Sequence, residues 1–255
     1  MGHVRLSRVV LAVALLAVAA TLSGYAGAQM GRHYEYNKIC CDMPKRHDML
    51  ISVKETFGLL TFHSQIGQDR WIAEAIFPGV TDGYFLDVGS ADGVINSNSW
   101  ALEQRGWSGI CVDPFPTNMA GRRCQMFKEA VDGVGGRHVH FKQAGEVGGI
   151  TDFLGRTRSG SDTAPTVDLT TVTLASILDR AKAPSYIHYM SLDIEGAELD
   201  ALRGFPFDRY RLGAIDVEHN FEEPKRTGIE TLLNAHGYVR ARTWMQDDFY
   251  LPRQR

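Results

Sequence analysis

Cysteine is scarce in this chain, with four in 255 residues, too few to build a disulfide scaffold of that size. Positive charge is not in excess either. The 27 Lys and Arg meet 30 Asp and Glu, a formal net charge of −3, so at whole-chain level there is no basic face of the kind that holds nucleic-acid phosphates. No internal repeat, P-loop, G-x-S-x-G elbow or C-x-x-C pair occurs, which removes the motif-based readings for nucleotide hydrolysis, serine hydrolysis and thiol redox chemistry. What remains is 44% hydrophobic and 22% charged, with 26 Gly and 9 Pro. That composition suits a soluble globular protein and argues against disordered, collagen-like or multi-span membrane chains. The length is enough for one α/β domain, or two small ones, with a sizeable core.

One long apolar run stands at the start. Arg5 and Arg8 precede Val9–Leu22, and Ala26-Gly27-Ala28 follows. A positive start, a short apolar stretch and an A-x-A site form the tripartite pattern of a secretory signal, with cleavage expected after Ala28. An uncleaved signal anchor is the alternative, and a membrane contact follows only in that case. Either version places the remainder in the secretory pathway, as a secreted, periplasmic or lumenal protein. Cleavage leaves 25 basic and 30 acidic groups, net −5. Residues 29–56 read as a linker carrying the adjacent Cys40 and Cys41, which strain keeps from bonding each other. Residues 57–255 read as the functional domain.

Within that domain strand-like and helix-like segments alternate, the pattern of a parallel sheet with helices on both faces. Strands are expected at Tyr84–Val88, Gly109–Val112, Glu129–Val131, Tyr186–Leu192, Gly213–Val217, Tyr238–Thr243 and Phe249–Leu251. Helices are expected at Gln65–Ile76, Ser97–Arg105, Asn118–Phe127, Leu174–Ala181, Glu198–Arg203 and Lys225–His236. The last two strands are closely linked and should pair antiparallel at one edge. Gly145–Pro165, rich in Gly, Ser and Thr, reads as a mobile surface excursion. Cys111 reads as a core residue, His138-Val139-His140 as a solvated strand face rather than half a zinc site, and Arg122-Arg123 as solvated surface.

Chemistry concentrates at the ends of the strands. In Phe85-Leu86-Asp87-Val88-Gly89-Ser90-Ala91-Asp92-Gly93 an apolar strand enters a glycine turn, where backbone can approach a ligand closely. Asp87 and Asp92 disfavour a pyrophosphate there and favour a cation, and the full G-x-G-x-x-G is missing. Asp113 ends the second strand, 24 residues after Gly89, and can accept two hydrogen bonds from a ribose diol. That geometry serves NAD and S-adenosylmethionine equally. Asp132 ends the third strand and is placed either to meet an adenine amino group or to start a turn. Asp193, Glu195 and Glu198 crowd the end of a buried strand, and Glu218-His219-Asn220 ends the next. Carboxylates so close repel unless a cation or polar ligand is shared, which raises the pKa of at least one.

Ser64-Gln65-Ile66-Gly67-Gln68-Asp69, Asp87-Val88-Gly89 with Asp92-Gly93, Ser97-Asn98, Gly106-Trp107, Asp113-Pro114, Asp193-Ile194-Glu195-Gly196-Ala197-Glu198 and Glu218-His219-Asn220, taken together and in order, resemble the FkbM family of S-adenosylmethionine-dependent methyltransferases. The resemblance spans roughly residues 62 to 251. It implies a class I methyltransferase, Rossmann-like α/β fold: a seven-stranded, mostly parallel sheet with an antiparallel edge hairpin. It implies O-methylation, with S-adenosylmethionine as cofactor and a small molecule, sugar or glycan hydroxyl as acceptor. Asp87, Gly89 and Asp113 would line the cofactor site with Asp113 on the ribose, and Gln65, Gln68 and Asp69, which by themselves read equally as a helix N-cap with exposed polar residues, would lid the cofactor's amino-acid end. This chain has Asp113 where the family often has Glu, and Ser90 where Ala is common. Candidates for the base that takes the hydroxyl proton are Asp193 first, then His219 and Glu195. No metal is assigned, since carboxylate clusters of this kind do not require one. A nicotinamide-dependent oxidoreductase and a catalytically silent binding module are the competing readings.

Overall fold

The computed structural model describes residues 62–154 and 163–253. The leader 1–28, the linker 29–56 with Cys40 and Cys41, and residues 155–162 of the Gly/Ser-rich excursion lie outside them. In chain order the strands are β1 Tyr84–Val88, β2 Ser108–Val112, β3 Gln125–Phe127, β4 Ala130–Val131, β5 His138–Lys142, β6 Gly149–Ile150, β7 Thr166–Val172, β8 Tyr186–Leu192, β9 Arg211–Glu218, β10 Tyr238–Trp244 and β11 Asp247–Pro252. The helices are α1 (Gln68–Arg70, continued by the π-helical run Trp71–Ile76), α2 Trp100–Gln104, α3 Leu174–Ala181, α4 Glu198–Arg203 and α5 Glu223–Ala235.

Seven strands form the central sheet in the order β10-β11-β9-β8-β1-β2-β3. Contacts among β3, β2, β1, β8 and β9 are parallel, whereas β11 runs antiparallel to both β9 and β10. The expected antiparallel pair is present, but the final strand is not at the edge: β11 slots between β9 and β10. Burial accounts for this, because Asp247–Tyr250 are buried while β10 exposes Arg240 and Ala241.

Period-two alternation sorts side chains to two faces. Leu86, Val88, Ile110, Val112, Met190, Ile215 and Val217 pack on one face with Leu174, Ile177, Leu178, Leu202 and Leu233 from α3, α4 and α5. Phe85, Cys111, Tyr189 and Ala214 pack on the other with Ile72 of α1 and Leu102 of α2. Helix α3 shows the local logic. Thr173 accepts a hydrogen bond from the Ser176 N–H at 3.2 Å as N-cap, Lys182 (φ 53°) ends the helix in the left-handed region, and Leu174, Ile177 and Leu178 form the buried stripe between. Truncating any of these three to Ala removes about 2–5 kcal/mol.

Two expected elements are replaced. Asn118–Phe127 is not a helix: Asn118 (φ 54°) and Gly121 (φ 88°) turn the chain, and Gln125–Phe127 joins the sheet beside β2. A disulfide between Cys111 and Cys124, Cα atoms 5.8 Å apart, holds the turn there. Cys111 is thus both fully buried and bonded. Glu129–Val131 supplies only β4, which belongs to a separate sheet of order β4-β7-β5-β6. Part of the excursion, Gly145–Leu154, is ordered against that sheet, with β6 paired to β5. On β5, His138 and His140 are exposed, and His140 meets the exposed Asp168 at 2.6 Å, a solvated face.

Replacing Cys111 and Cys124 together by alanine is expected to lower stability by about 2–4 kcal/mol in urea unfolding, from released chain entropy of the 13-residue loop. Equal midpoints for oxidised, reduced and double-mutant protein would contradict it.

Candidate active site

Strands β1 and β8 are neighbours, yet β1 leads to α2 on one face and β8 to α4 on the other. A crevice must open where such connections diverge, at the C-terminal ends of the strands. A cavity of about 270 Å³ lies there, and an adjoining hollow of about 390 Å³ shares Asp92, Asp113 and Phe141 with it. Together they suit a ligand of small-molecule size.

Gly89 makes the crevice possible. Its φ is 91°, and a Cβ added there would sit 1.6 Å from the Asp193 carbonyl oxygen. The Gly89 N–H donates to Val112 O (2.8 Å) and the Asp193 N–H to Val88 O (2.9 Å), so three strand ends are tied at one point. Below this turn Asp87 is buried and accepts a hydrogen bond from the Ser99 hydroxyl. Arg122 then bridges Ser99 Oγ (2.7 Å) and Glu103 Oε2 (2.7 Å). Arg122 is therefore a buried support rather than solvated surface. Burial raises the Asp87 pKa, against the lowering by Ser99 and Arg122.

Asp113 accepts from the Ala91 N–H (3.0 Å) on one oxygen and the Phe115 N–H (2.7 Å) on the other. Each oxygen keeps a lone pair for a ligand hydroxyl. Asp92 takes the N–H groups of Val94 (2.9 Å) and Ile95 (2.8 Å) and the Thr117 hydroxyl (3.2 Å). Burial pushes the Asp92 pKa up, but these donors bring it below the ordinary value. Exposed Ile95, Val147 and Phe221 stand around the mouth.

The opposite wall holds a stack of acids. Asp216 and Glu218 point to one face of β9, and Asp247 of β11 lies directly across from Glu218. All three are buried. Asp193 ends β8 beside them, with oxygens of Asp193, Glu198 and Glu218 within 4.8 Å of one another. Gln68 Nε2 donates to Asp247 Oδ2 (2.8 Å) and Tyr189 Oη to Asp216 Oδ2 (3.2 Å). Lys225 Nζ pairs with Glu198 Oε2 at 3.0 Å. Burial, then Glu218 and Asp247, lift Asp193 far above the usual carboxylate range. Burial and Asp247 do the same to Asp216, and burial with Glu218 pushes Asp247 up to about 7 despite the Gln68 bond. Eight carboxyl groups line the cavity (Asp87, Asp92, Asp113, Glu129, Glu146, Asp193, Glu195, Glu218), and among the described residues no Lys, Arg or His does.

Of the residues singled out from sequence, Gln65, Asp87, Gly89, Asp92, Asp113, Asp193 and Glu195 line this cavity. Three do not. Asp69 is fully buried and accepts the His63 N–H (2.7 Å) and Ser64 hydroxyl, capping the turn before α1. Asp132 is buried against Arg137 at 2.9 Å. His219 is 1% exposed on the reverse face of β9, where Nδ1 accepts the Phe221 N–H (3.0 Å) and Nε2 lies 3.7 Å from Asp248. Sequence reasoning missed Asp216 and Asp247. The acid two residues before Glu218 in Ala214-Ile215-Asp216-Val217-Glu218 was the available signal, since period two puts both on one face.

The Methyltransferase FkbM domain matches residues 87–240. No curated protein and no solved structure matches the chain.

Proposed function

Since this chain belongs to the FkbM methyltransferase family, we propose that it is an S-adenosylmethionine-dependent O-methyltransferase whose acceptor is a sugar or glycan hydroxyl. The observation that carries the reading is the acidity of the cavity: eight carboxyl groups, and among the described residues no Lys, Arg or His, line it. A sulfonium cation is stabilised by that field, whereas the pyrophosphate of a nicotinamide dinucleotide is repelled by it.

The residues present fit such a cofactor. Asn98 Oδ1 and Asp193 Oδ1, both acceptors, are buried and without a donor among the described residues, as is Ser90 Oγ, and all three residues line the cavity. An ammonium and hydroxyls on the ligand meet those needs. Asp113 would accept the ribose hydroxyls, and Asp87 and Gly89 would form the floor beneath. When bound, the donor supplies a methyl group on positively charged sulfur, open to in-line displacement by an oxygen. The chain contributes position and proton removal: holding the acceptor oxygen within roughly 3–3.5 Å of its target provides much of the rate, and Asp193, at the rim between β8 and β9, takes the hydroxyl proton. Phe221, 66% exposed at the mouth, offers an apolar surface to the ring face of a pyranose.

The disulfide within the domain and the leader pattern together support an oxidising, secretory location. Isothermal titration of the domain is expected to give micromolar binding of S-adenosylmethionine, weakened about tenfold or more by Asp113→Ala through two lost hydrogen bonds. Wild-type protein giving no heat at high micromolar donor would sink the assignment.

A further inference from the structure

The wall of the cavity that carries Asp113 is a loop closed by a covalent bond. Cys111 in β2 lies directly beside Asp87 of β1 in the sheet register, and Cys124 stands just before β3. The disulfide joins them across residues 112–123. That loop supplies Asp113 and Pro114 to the main cavity and Phe115 and Thr117 to the adjoining hollow. Past Cys124 the sheet gives little further hold, because β3 is three residues long and lies at the edge with β2 as its neighbour.

The loop in turn holds the glycine turn. The Ala91 N–H donates to Asp113 Oδ2 (3.0 Å), and Ala91 O accepts the Thr117 N–H (2.8 Å). The Gly93 N–H donates to Thr117 O (2.9 Å), and Gly93 O accepts from Arg122 Nη1 (2.6 Å). Packing is close there: a Cβ on Gly93 would lie 2.8 Å from Asn118 O. Arg122, two residues before Cys124, spends the rest of its guanidinium on the same region. It reaches Ser97 Oγ (3.2 Å), Ser99 Oγ (2.7 Å), Glu103 Oε2 (2.7 Å) and Cys111 Sγ (3.3 Å), and the Ser99 hydroxyl bonds Asp87. The disulfide, Asp113, the glycine turn and the cavity floor are one connected unit.

Resting on the methyl-donor reading above, we propose that the Cys111–Cys124 disulfide gates donor binding, with Arg122 as the positioning residue that carries its effect to the glycine turn. Oxidised, the bond pins residues 112–123 against Ala91 and Gly93. Reduced, the loop gains conformations that binding must first remove, and affinity falls. The step balances as exchange with a dithiol reductant. Its thiolate attacks Cys124 Sγ, the more accessible sulfur (Cys124 9% exposed, Cys111 0%); the S–S bond breaks, and Cys111 leaves as a thiolate that takes up a proton. The second thiolate of the reductant then displaces Cys124, so the dithiol ends as a disulfide and two electrons and two protons reach the chain. The coupling is reciprocal: a donor that prefers the oxidised form makes the bond harder to reduce by the same factor. A chain in a reducing compartment therefore holds the donor weakly and gains affinity on oxidation, in keeping with the secretory location proposed above.

The test is calorimetric titration of the full chain with S-adenosylmethionine before and after reduction by dithiothreitol, with circular dichroism of both forms. The oxidised protein is expected to bind about tenfold more tightly. In dithiothreitol redox buffers, alkylation and peptide mass spectrometry read Cys111 and Cys124 apart from Cys40 and Cys41. Saturating donor should move their midpoint by about 30 mV toward resistance, the same tenfold factor. Arg122→Lys keeps the charge but not the planar fork of donors, and should weaken donor binding comparably with the disulfide intact. Leu178→Ala, which loosens packing on the other face of the sheet, should leave donor affinity unchanged in the folded protein. Equal affinities in the two redox states, a midpoint that ignores the donor, a folded Arg122→Lys with full affinity, or a loss in Leu178→Ala as large as on reduction would each overturn the gate and leave the methyltransferase reading standing. Loss of the dichroism spectrum on reduction would make the bond a requirement of the whole fold and overturn the gate as well. No binding heat in either state overturns the methyl-donor reading itself.

Discussion

Gly89→Ala should destabilise the protein by about 3–5 kcal/mol, near the upper end for a single substitution. Two costs add. The residue is held at φ 91°, where a Cβ costs about 1–2 kcal/mol against the following carbonyl. The new methyl would also lie 1.6 Å from the Asp193 carbonyl oxygen and 2.7 Å from its carbon. Those are backbone atoms, and no rotamer change relieves the clash. Strand β1 or β8 must move, breaking the bond between the Asp193 N–H and Val88 O. Gly121→Ala isolates the first cost, since Gly121 has φ 88° and nothing within 4 Å of its added Cβ; about 1–2 kcal/mol is expected there. Urea unfolding of both variants separates strain from collision, and a difference under 1 kcal/mol would show that the strand ends are not locked at Gly89. Ligand affinity should fall with the Gly89 variant alone, because only that turn shapes the cavity.

The sheet was legible where burial is two-sided. Tyr84–Val88, Tyr186–Leu192 and the helix Leu174–Ala181 have the bounds expected from their apolar patterns and caps, because sequence and packing demand the same spacing there. Legibility failed where tertiary bonding overrides local pattern. Met119, Cys124, Met126 and Phe127 have helix-like composition, yet a disulfide and a parallel partner draw their segment into a strand. Strand β7 alternates Thr166, Asp168 and Thr170 outward on a mostly exposed sheet, and such half-polar alternation was hidden beside a Gly/Ser-rich stretch. At the site, single strand ends were readable because each ends in an acid. Their third dimension was not. His219 follows Glu218 directly, and period two turns it to the far face. Asp247 comes from a strand whose insertion between β9 and β10 no local signal announces.

Asp193→Asn should lower kcat by about 10²- to 10⁴-fold, the usual worth of a positioned general base, once an acceptor hydroxyl is in hand. The asparagine is isosteric and still occupies the rim between β8 and β9, so donor binding persists and the loss falls on turnover. The pH dependence sharpens the test. Burial first, then Glu218 and Asp247, raise the pKa of Asp193 in the folded chain. A raised base is protonated, and so inactive, over a pH range in which an exposed aspartate would already be free to accept a proton. The rate of the wild-type enzyme should therefore climb at a pH above that at which an exposed aspartate ionises, and Glu218→Gln, by removing a neighbouring carboxyl that raises Asp193, should move that limb to lower pH. In Asp193→Asn the limb should vanish from what rate remains. His219→Asn should leave the limb in place, because that imidazole lies behind the sheet and its own pKa, depressed by burial, reports on Asp248 and not on the cavity. A wild-type limb that disappears with His219 and survives with Asp193 would exchange their roles, and with them the face of β9 on which the chemistry takes place.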